Sequence, residues 1–117
     1  MNDALLEEIS LAYHAHNLRP IRGFFCLHED GVDYACPIVC LAVHRGVTGK
    51  ADPDWTKDTA AVTAVEWAAR TLGDDFTIGL LDGFDGHKQA RDGPDYLQGF
   101  ALGVALARQL SPRDAPV

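Results

Sequence analysis

Cys36, Cys40 and His44 follow one another at intervals of four residues, the spacing that sets three side chains on one face of a helix. Thiol and imidazole are the donors of a zinc site, and equally of a nucleophile with its base. Helix geometry narrows the choice. At a rise of about 1.5 Å per residue, Cys36 and His44 lie about 12 Å apart along the axis, too far to share an ion whose ligand bonds are about 2.0 to 2.3 Å. Only one neighbouring pair converges at a time, so Cys26 and His28, on one face of a preceding strand, are the candidates to complete a set. They would make a two-cysteine, two-histidine site with Cys40 and His44, or a three-cysteine, one-histidine site with Cys36 and Cys40. Neither spacing follows a zinc signature, and the apolar neighbours of these cysteines favour thiols packed as small hydrophobes.

Cys36 precedes Pro37 and so falls at the N-cap of its helix. There the macrodipole and the free N–H groups lower a thiol pKa, which makes Cys36 the candidate nucleophile for peroxidatic or thiol-transfer chemistry. The interval to Cys40 is one residue longer than the Cys-x-x-Cys redox motif requires. A second cluster, Asp82, Asp85, His87, Asp92 and Asp95, has hard-metal character, with Lys88 and Arg91 interleaved. It lacks the alternation of oxygen donors and the closing Glu of a calcium loop. Asp82, Asp85, His87, Lys88 and Arg91 are the candidate binding residues. The structural alternative is a set of helix caps and surface ion pairs contributing at most ~1 kcal/mol each. His14 and His16 read as surface histidines. No phosphate-binding glycine loop, nucleophile elbow or His-Glu-x-x-His helix is present.

The elements that must position these residues follow from periodicity. Leu5, Leu6, Ile9, Ala12 and Tyr13 make one stripe of a helix from Asp3 to about Asn17, with Arg19-Pro20 expected to stop it. Ile21 to His28, the turn Glu29-Asp30-Gly31, and Val32-Asp33-Tyr34 read as a β-hairpin. Pro37 and Gly46 frame a short helix from Cys36 to Arg45. Ala61, Val65, Ala68 and Leu72 stripe a helix from Asp58 to Leu72 stopped by Gly73, with Trp67 on a different face. Asp74 or Asp75 caps a fourth helix through Phe84, and Gly93-Pro94-Asp95 opens a fifth to about Leu110. Residues 111–117 read as a mobile polar tail. The expectation is one α+β domain over residues 1–117, mostly helical, with five helices and a small β-hairpin after the first.

Gly79 and Gly83 stand four apart in the fourth helix, as do Gly99 and Gly103 in the fifth. Each helical Gly costs ~1 kcal/mol relative to Ala, so four forfeit roughly 4 kcal/mol that close approach of the two helices must offset. Asp82-Gly83-Phe84 and Gln98-Gly99-Phe100 echo each other. The run Gly79-Leu80-Leu81-Asp82-Gly83-Phe84-Asp85-Gly86, followed by Tyr96-Leu97-Gln98-Gly99-Phe100-Ala101-Leu102-Gly103, resembles a Gly-aromatic helical hairpin of small bacterial proteins, and more faintly ribosome modulation factor. The Cys36-Pro37 helix behind a hairpin is similar to the same proteins. The resemblance implies a helical pair at this place and brings no activity with it.

The chain has 117 residues and a formal charge of -7. Such a charge repels phosphate backbones, which argues against nucleic acid and anionic membranes as partners. Thirteen of the 17 acidic residues are Asp, many beside Gly or Pro, where a short carboxylate closes turns. The acidic start lacks the pattern of a secretory signal, and the longest runs without a polar residue, Ala35 to Val43 and Gly99 to Ala107, fall far short of the ~20 that span a bilayer. With three cysteines and no such signal, the expectation is a cytoplasmic chain with reduced thiols. The functional expectation is a non-catalytic binding or oligomerisation module without a cofactor. The alternative is a small thiol or metal enzyme or sensor using Cys36, or Cys40 with His44. A homodimer is expected, burying the all-apolar face of Gly99 to Ala107 or the Trp67 face, with a further protein partner also open.

Overall fold

The apolar stripe of the first helix does what its spacing requires. In a computed structural model describing residues 2–49 and 58–115, α1 (Asp3–Ala15) buries Ile9, Ala12 and Tyr13. The Tyr13 hydroxyl donates to Ala35 O at 2.7 Å. The helix stops before Arg19-Pro20, because Asn17 takes a left-handed φ of 52° and turns the chain. Arg19 and Pro20 instead lie inside β1 (Leu18–Arg22). Pro20 closes the stretch paired with one neighbouring strand just before pairing with the other begins, where a missing N–H is best tolerated.

The expected hairpin is shorter than its sequence frame and belongs to a larger sheet. β2 (Cys26–Glu29) and β3 (Val32–Ala35) pair antiparallel. Asp30 and Gly31, at φ 54° and 77°, supply the two left-handed residues that a two-residue hairpin turn needs. β1 pairs parallel with β3, and β4 (Arg113–Asp114) pairs parallel with the far end of β1, giving the order β2-β3-β1-β4. Part of the segment expected as a mobile tail is therefore strand. Residues 116 and 117 lie outside the described residues.

α2 (Pro37–His44) occupies the centre, buried from Pro37 through Val43 and packed on α1, on β3 and on the next two helices. It ends as Gly46 requires. Gly46, at φ 75°, donates to Val43 O at 3.1 Å while Val47 donates to Ala42 O at 2.8 Å, a Schellman closure. α3 (Asp58–Thr71) buries Ala60, Ala61, Ala64 and Ala68. Trp67 packs partly against the core, with the Arg45 guanidinium 5.7 Å from its ring centroid. α4 (Asp74–Asp85) is not capped by Asp74 or Asp75. Gly73 is its N-cap, and both aspartates lie in the first turn, where the helix dipole favours them.

α5 (Pro94–Leu110) meets α4 along the four glycines. A Cβ at Gly79 would overlap Tyr96 O, at Gly83 Phe100 O, at Gly99 Phe76 O, and at Gly103 Leu80 O. The contact is reciprocal: each glycine faces the carbonyl three residues before a glycine of the other helix. Partner numbers rise together, so the helices run side by side in the same direction and are not an antiparallel hairpin. The matching register is an offset of 20 residues, Phe76, Gly79 and Gly83 corresponding to Tyr96, Gly99 and Gly103, and not the offset suggested by the Gly-Phe echo. The connection Gly86 to Gly93 must run back along the pair. Eight extended residues reach about 26 Å, enough for the roughly 18 Å rise of α4. Arg91, near the end of this return, meets Asp75 at the start of α4 at 2.8 Å.

This packing also covers part of the apolar run of α5. Gly99, Leu102, Gly103 and Leu106 are buried within one chain, Phe100, Val104, Ala105 and Ala107 are half-buried, and Ala101 is exposed. No described helix is long and apolar enough to cross a membrane. Because the opposing groups are backbone, even Gly83→Ala or Gly99→Ala is expected to destabilise by ~1 to 3 kcal/mol despite better helix propensity. Gly93→Ala, with φ -62° and no neighbour within 4 Å, is the control and should cost less than about 1 kcal/mol. Denaturant unfolding of the three variants checks this; equal midpoints for all of them would disprove the backbone contact.

Candidate functional site

Cys36 is the N-cap of α2, as its place before Pro37 predicts, and its Sγ accepts the Val39 N–H at 3.5 Å. The thiol is buried, and burial pushes its pKa up to about 12, outweighing the lowering by the N–H groups of Val39 and Ile38. Cys40, one turn on, is pushed up further by burial, with a smaller contribution from Cys36. Both thiols are therefore protonated near neutrality, the reverse of what a nucleophile or a zinc ligand needs.

The proposed metal sets are not assembled. Cys26 packs partly against the core, whereas His28 is exposed and hydrogen-bonds Asp33, its cross-strand partner, at 2.6 Å. His44 leaves the exposed end of α2 and meets His16 from α1 at 3.2 Å. His16 is thus more than a surface histidine. Among the described residues no group of three or more His, Cys, Asp or Glu is placed to hold a metal ion.

The acidic cluster fastens the return connection to the helix pair. Tyr96, with its ring buried, donates from its hydroxyl to Asp82 Oδ2 at 2.8 Å and accepts the Ala90 N–H at 3.0 Å. Asp82 also faces His87 Nδ1 at 3.6 Å. Asp85 accepts the Gly23 N–H at 3.1 Å, tying the connection before β2 to the end of α4. Asp92 accepts from Gln89 at 3.3 Å, Arg91 pairs with Asp75, and Lys88 is exposed. Of the five candidate binding residues, His87 lines a cleft that could hold a ligand.

That cleft, of about 350 Å³, has Phe84, Val104 and Ala107 as apolar lining and three basic residues: Arg22 from the end of β1, His87 from the return, and Arg108 from the last turn of α5. Gly83 and Gly86 complete the wall. A Cβ at Gly86 would stand 3.3 Å from Arg22 Nη1, so glycine there leaves the guanidinium its room. Arg22 Nε is buried and has no hydrogen-bond partner among the described residues. Its ion pair with Asp114 is long, at 3.4 Å, and that carboxylate is 84% exposed. Asp85 stands near Arg22 and His87. Burial raises its carboxyl above the ordinary range, while the Gly23 N–H, His87 and Arg22 pull it back. By contrast, in the cleft lined by Arg19 and Arg113, the Arg113 guanidinium is already held by Glu29 at 2.8 Å and lies 5.0 Å from the centroid of the Tyr34 ring.

Two guanidinium groups and an imidazole in one otherwise apolar lining suit a small carboxylate or phosphate, which an Arg fork grips with two parallel hydrogen bonds. The lining contains no Ser, Thr, Cys or Tyr, and so no hydroxyl or thiol nucleophile. Arg22 and Arg108 escaped the sequence reading because they stand 86 residues apart by number. The available signal was weak: Arg108 continues the Val104, Ala107 face of a helix that is apolar from Gly99 to Ala107.

The burial of Cys36 sets a pH dependence. Its folded-state pKa of about 12 lies above the reference 9.0, so above pH 9 the unfolded chain holds fewer protons than the folded one. Stability should fall as pH rises from about 9 toward 12. Alkylation near neutrality should label Cys26 first, with Cys36 and Cys40 slow until denaturant is added. Mass spectrometry of the labelled chain reads this, and fast selective labelling of Cys36 would contradict its burial.

Comparison of the chain with protein-family models, with curated proteins and with solved structures finds no match.

Proposed function

We propose that the chain is a non-catalytic binding module that holds a small anion, a carboxylate or phosphate, in the cleft of Arg22, His87 and Arg108. The observation that carries the reading is the Arg22 guanidinium at the cleft, whose buried Nε makes no hydrogen bond among the described residues and has only a loose 3.4 Å ion pair to the exposed Asp114 carboxylate. So weak an exposed pair contributes little, which leaves the guanidinium able to turn to a bound oxyanion. That the cations gather here in a chain of net charge -7 adds support, since the general field disfavours anions elsewhere. In this reading the chain works in the cytoplasm, and its three free thiols suit a reducing compartment.

Isothermal calorimetry with inorganic phosphate and with a short dicarboxylate tests the proposal. Saturable binding is expected, and Arg22→Gln should weaken it about tenfold or more, the equivalent of ~1.4 kcal/mol. Asp85→Asn keeps an oxygen for the Gly23 N–H while removing the competing charge, so it should bind more tightly than wild type. Equal affinity in wild type, Arg22→Gln and Arg108→Gln would sink the proposal.

A homodimer forms the second reading, through a surface other than those the sequence nominated. Phe24, Phe25 and Val62 are 43%, 44% and 51% exposed, and Phe25 and Val62 line one apolar cleft. Sedimentation velocity at micromolar concentration should then show a dimer that Phe25→Ser dissociates; a monomer throughout removes this reading.

A further inference from the structure

His16 Nε2 and His44 Nδ1 stand 3.2 Å apart, brought together from the C-terminal ends of two helices. His16 is the C-cap of α1, and His44 is the last residue of α2. The rings meet edge to face, with centroids 5.4 Å apart and planes inclined at 81°. Both side chains reach solvent, so water has access to the junction.

The geometry points to a site for a divalent first-row transition metal, with these two imidazole nitrogens as its protein ligands and water completing the shell. Ligand bonds of about 2.05 Å meeting at the tetrahedral angle place two nitrogens about 3.4 Å apart, and at a right angle about 2.9 Å. The observed 3.2 Å falls between these limits, so the two nitrogens already stand at a ligating separation and the rings have only to turn toward a shared ion. Imidazole is a donor suited to zinc, copper and nickel. Both helices present their negative dipole ends here, which favours a cation.

Among the described residues the neighbouring charges do not oppose it. Arg45, beside His44, is held by Glu8 through two hydrogen bonds of 2.9 and 2.8 Å. That pair is neutral as a unit, and the Glu8 carboxylate lies close enough to His44 for the two to interact electrostatically. His14 lies in the last turn of the same helix as His16 and is exposed, which makes it the natural control. In the metal-free pair one ring nitrogen holds the proton that the other accepts. On coordination that proton moves to the outward nitrogen of its ring, so two neutral imidazoles direct lone pairs at the ion and none is lost.

The test uses the whole chain with two probes. Titration with zinc chloride should show saturable binding of one equivalent and a rise in melting temperature. His16→Gln and His44→Gln should each weaken binding at least tenfold and abolish the rise, while His14→Gln retains both. Copper(II), followed by NMR of the wild-type chain, should broaden the imidazole signals of His16 and His44 before those of His28 and His87. This readout needs no variant to fold. Absence of saturable binding, a melting shift that survives His16→Gln, or broadening that starts elsewhere would each overturn the assignment and leave the pair a simple imidazole hydrogen bond.

Discussion

Four glycines hold two helix backbones in contact, and much of the molecule is arranged around that contact. The groups that a Cβ would strike at Gly79, Gly83, Gly99 and Gly103 are carbonyl oxygens and amide nitrogens, which cannot move without unwinding a helix. Glycine sacrifices helix propensity of ~1 kcal/mol at each position, and the dispersion gained along two apposed backbones offsets it. The contact also fixes direction. Since α4 and α5 run the same way, the chain must return along them, and Tyr96 with Asp82 pins that return at its middle. The basic cleft forms where the return begins, at the C-terminal end of α4, beside the last turn of α5.

The helices and the hairpin turn were legible because their determinants are local. A stripe such as Ile9, Ala12 and Tyr13, a Pro37 and Gly46 frame, and an Asp30-Gly31 turn act within a few residues. Glycine spacing even announced a close crossing. What it left open was whether the two helices run parallel or antiparallel, because a groove on one helix face accepts a partner running either way. The parallel pairing of β1 with β3 and β4 was invisible for a related reason: such partners as Ile21 and Arg113 are set by tertiary packing and leave no local signal.

The candidate chemistry divides along the same line. Cys36 sits at the helix start its sequence implies, yet the tertiary core around it reverses the expected effect on its thiol. Dipole and N–H groups act over one turn, whereas desolvation depends on what the other elements bring. His44 carries a signal in its spacing from Cys40, but its partner is His16, 28 residues away. Arg22 and Arg108 carried almost none, since each is an ordinary charged residue at the end of an ordinary element.

β1 has neighbours on both sides, and one of them, β4, comes from residues 113–114. During synthesis, then, β1 waits through some ninety further residues with one row of backbone groups uncovered. An unpaired edge of that kind recruits any available strand, including that of another nascent chain. The Gln109 to Ser10 hydrogen bond at 2.8 Å likewise joins the end of the chain to α1. The sequence separation of β1 from β4 thus makes order of emergence from the ribosome, beside thermodynamic stability, a factor in misassociation.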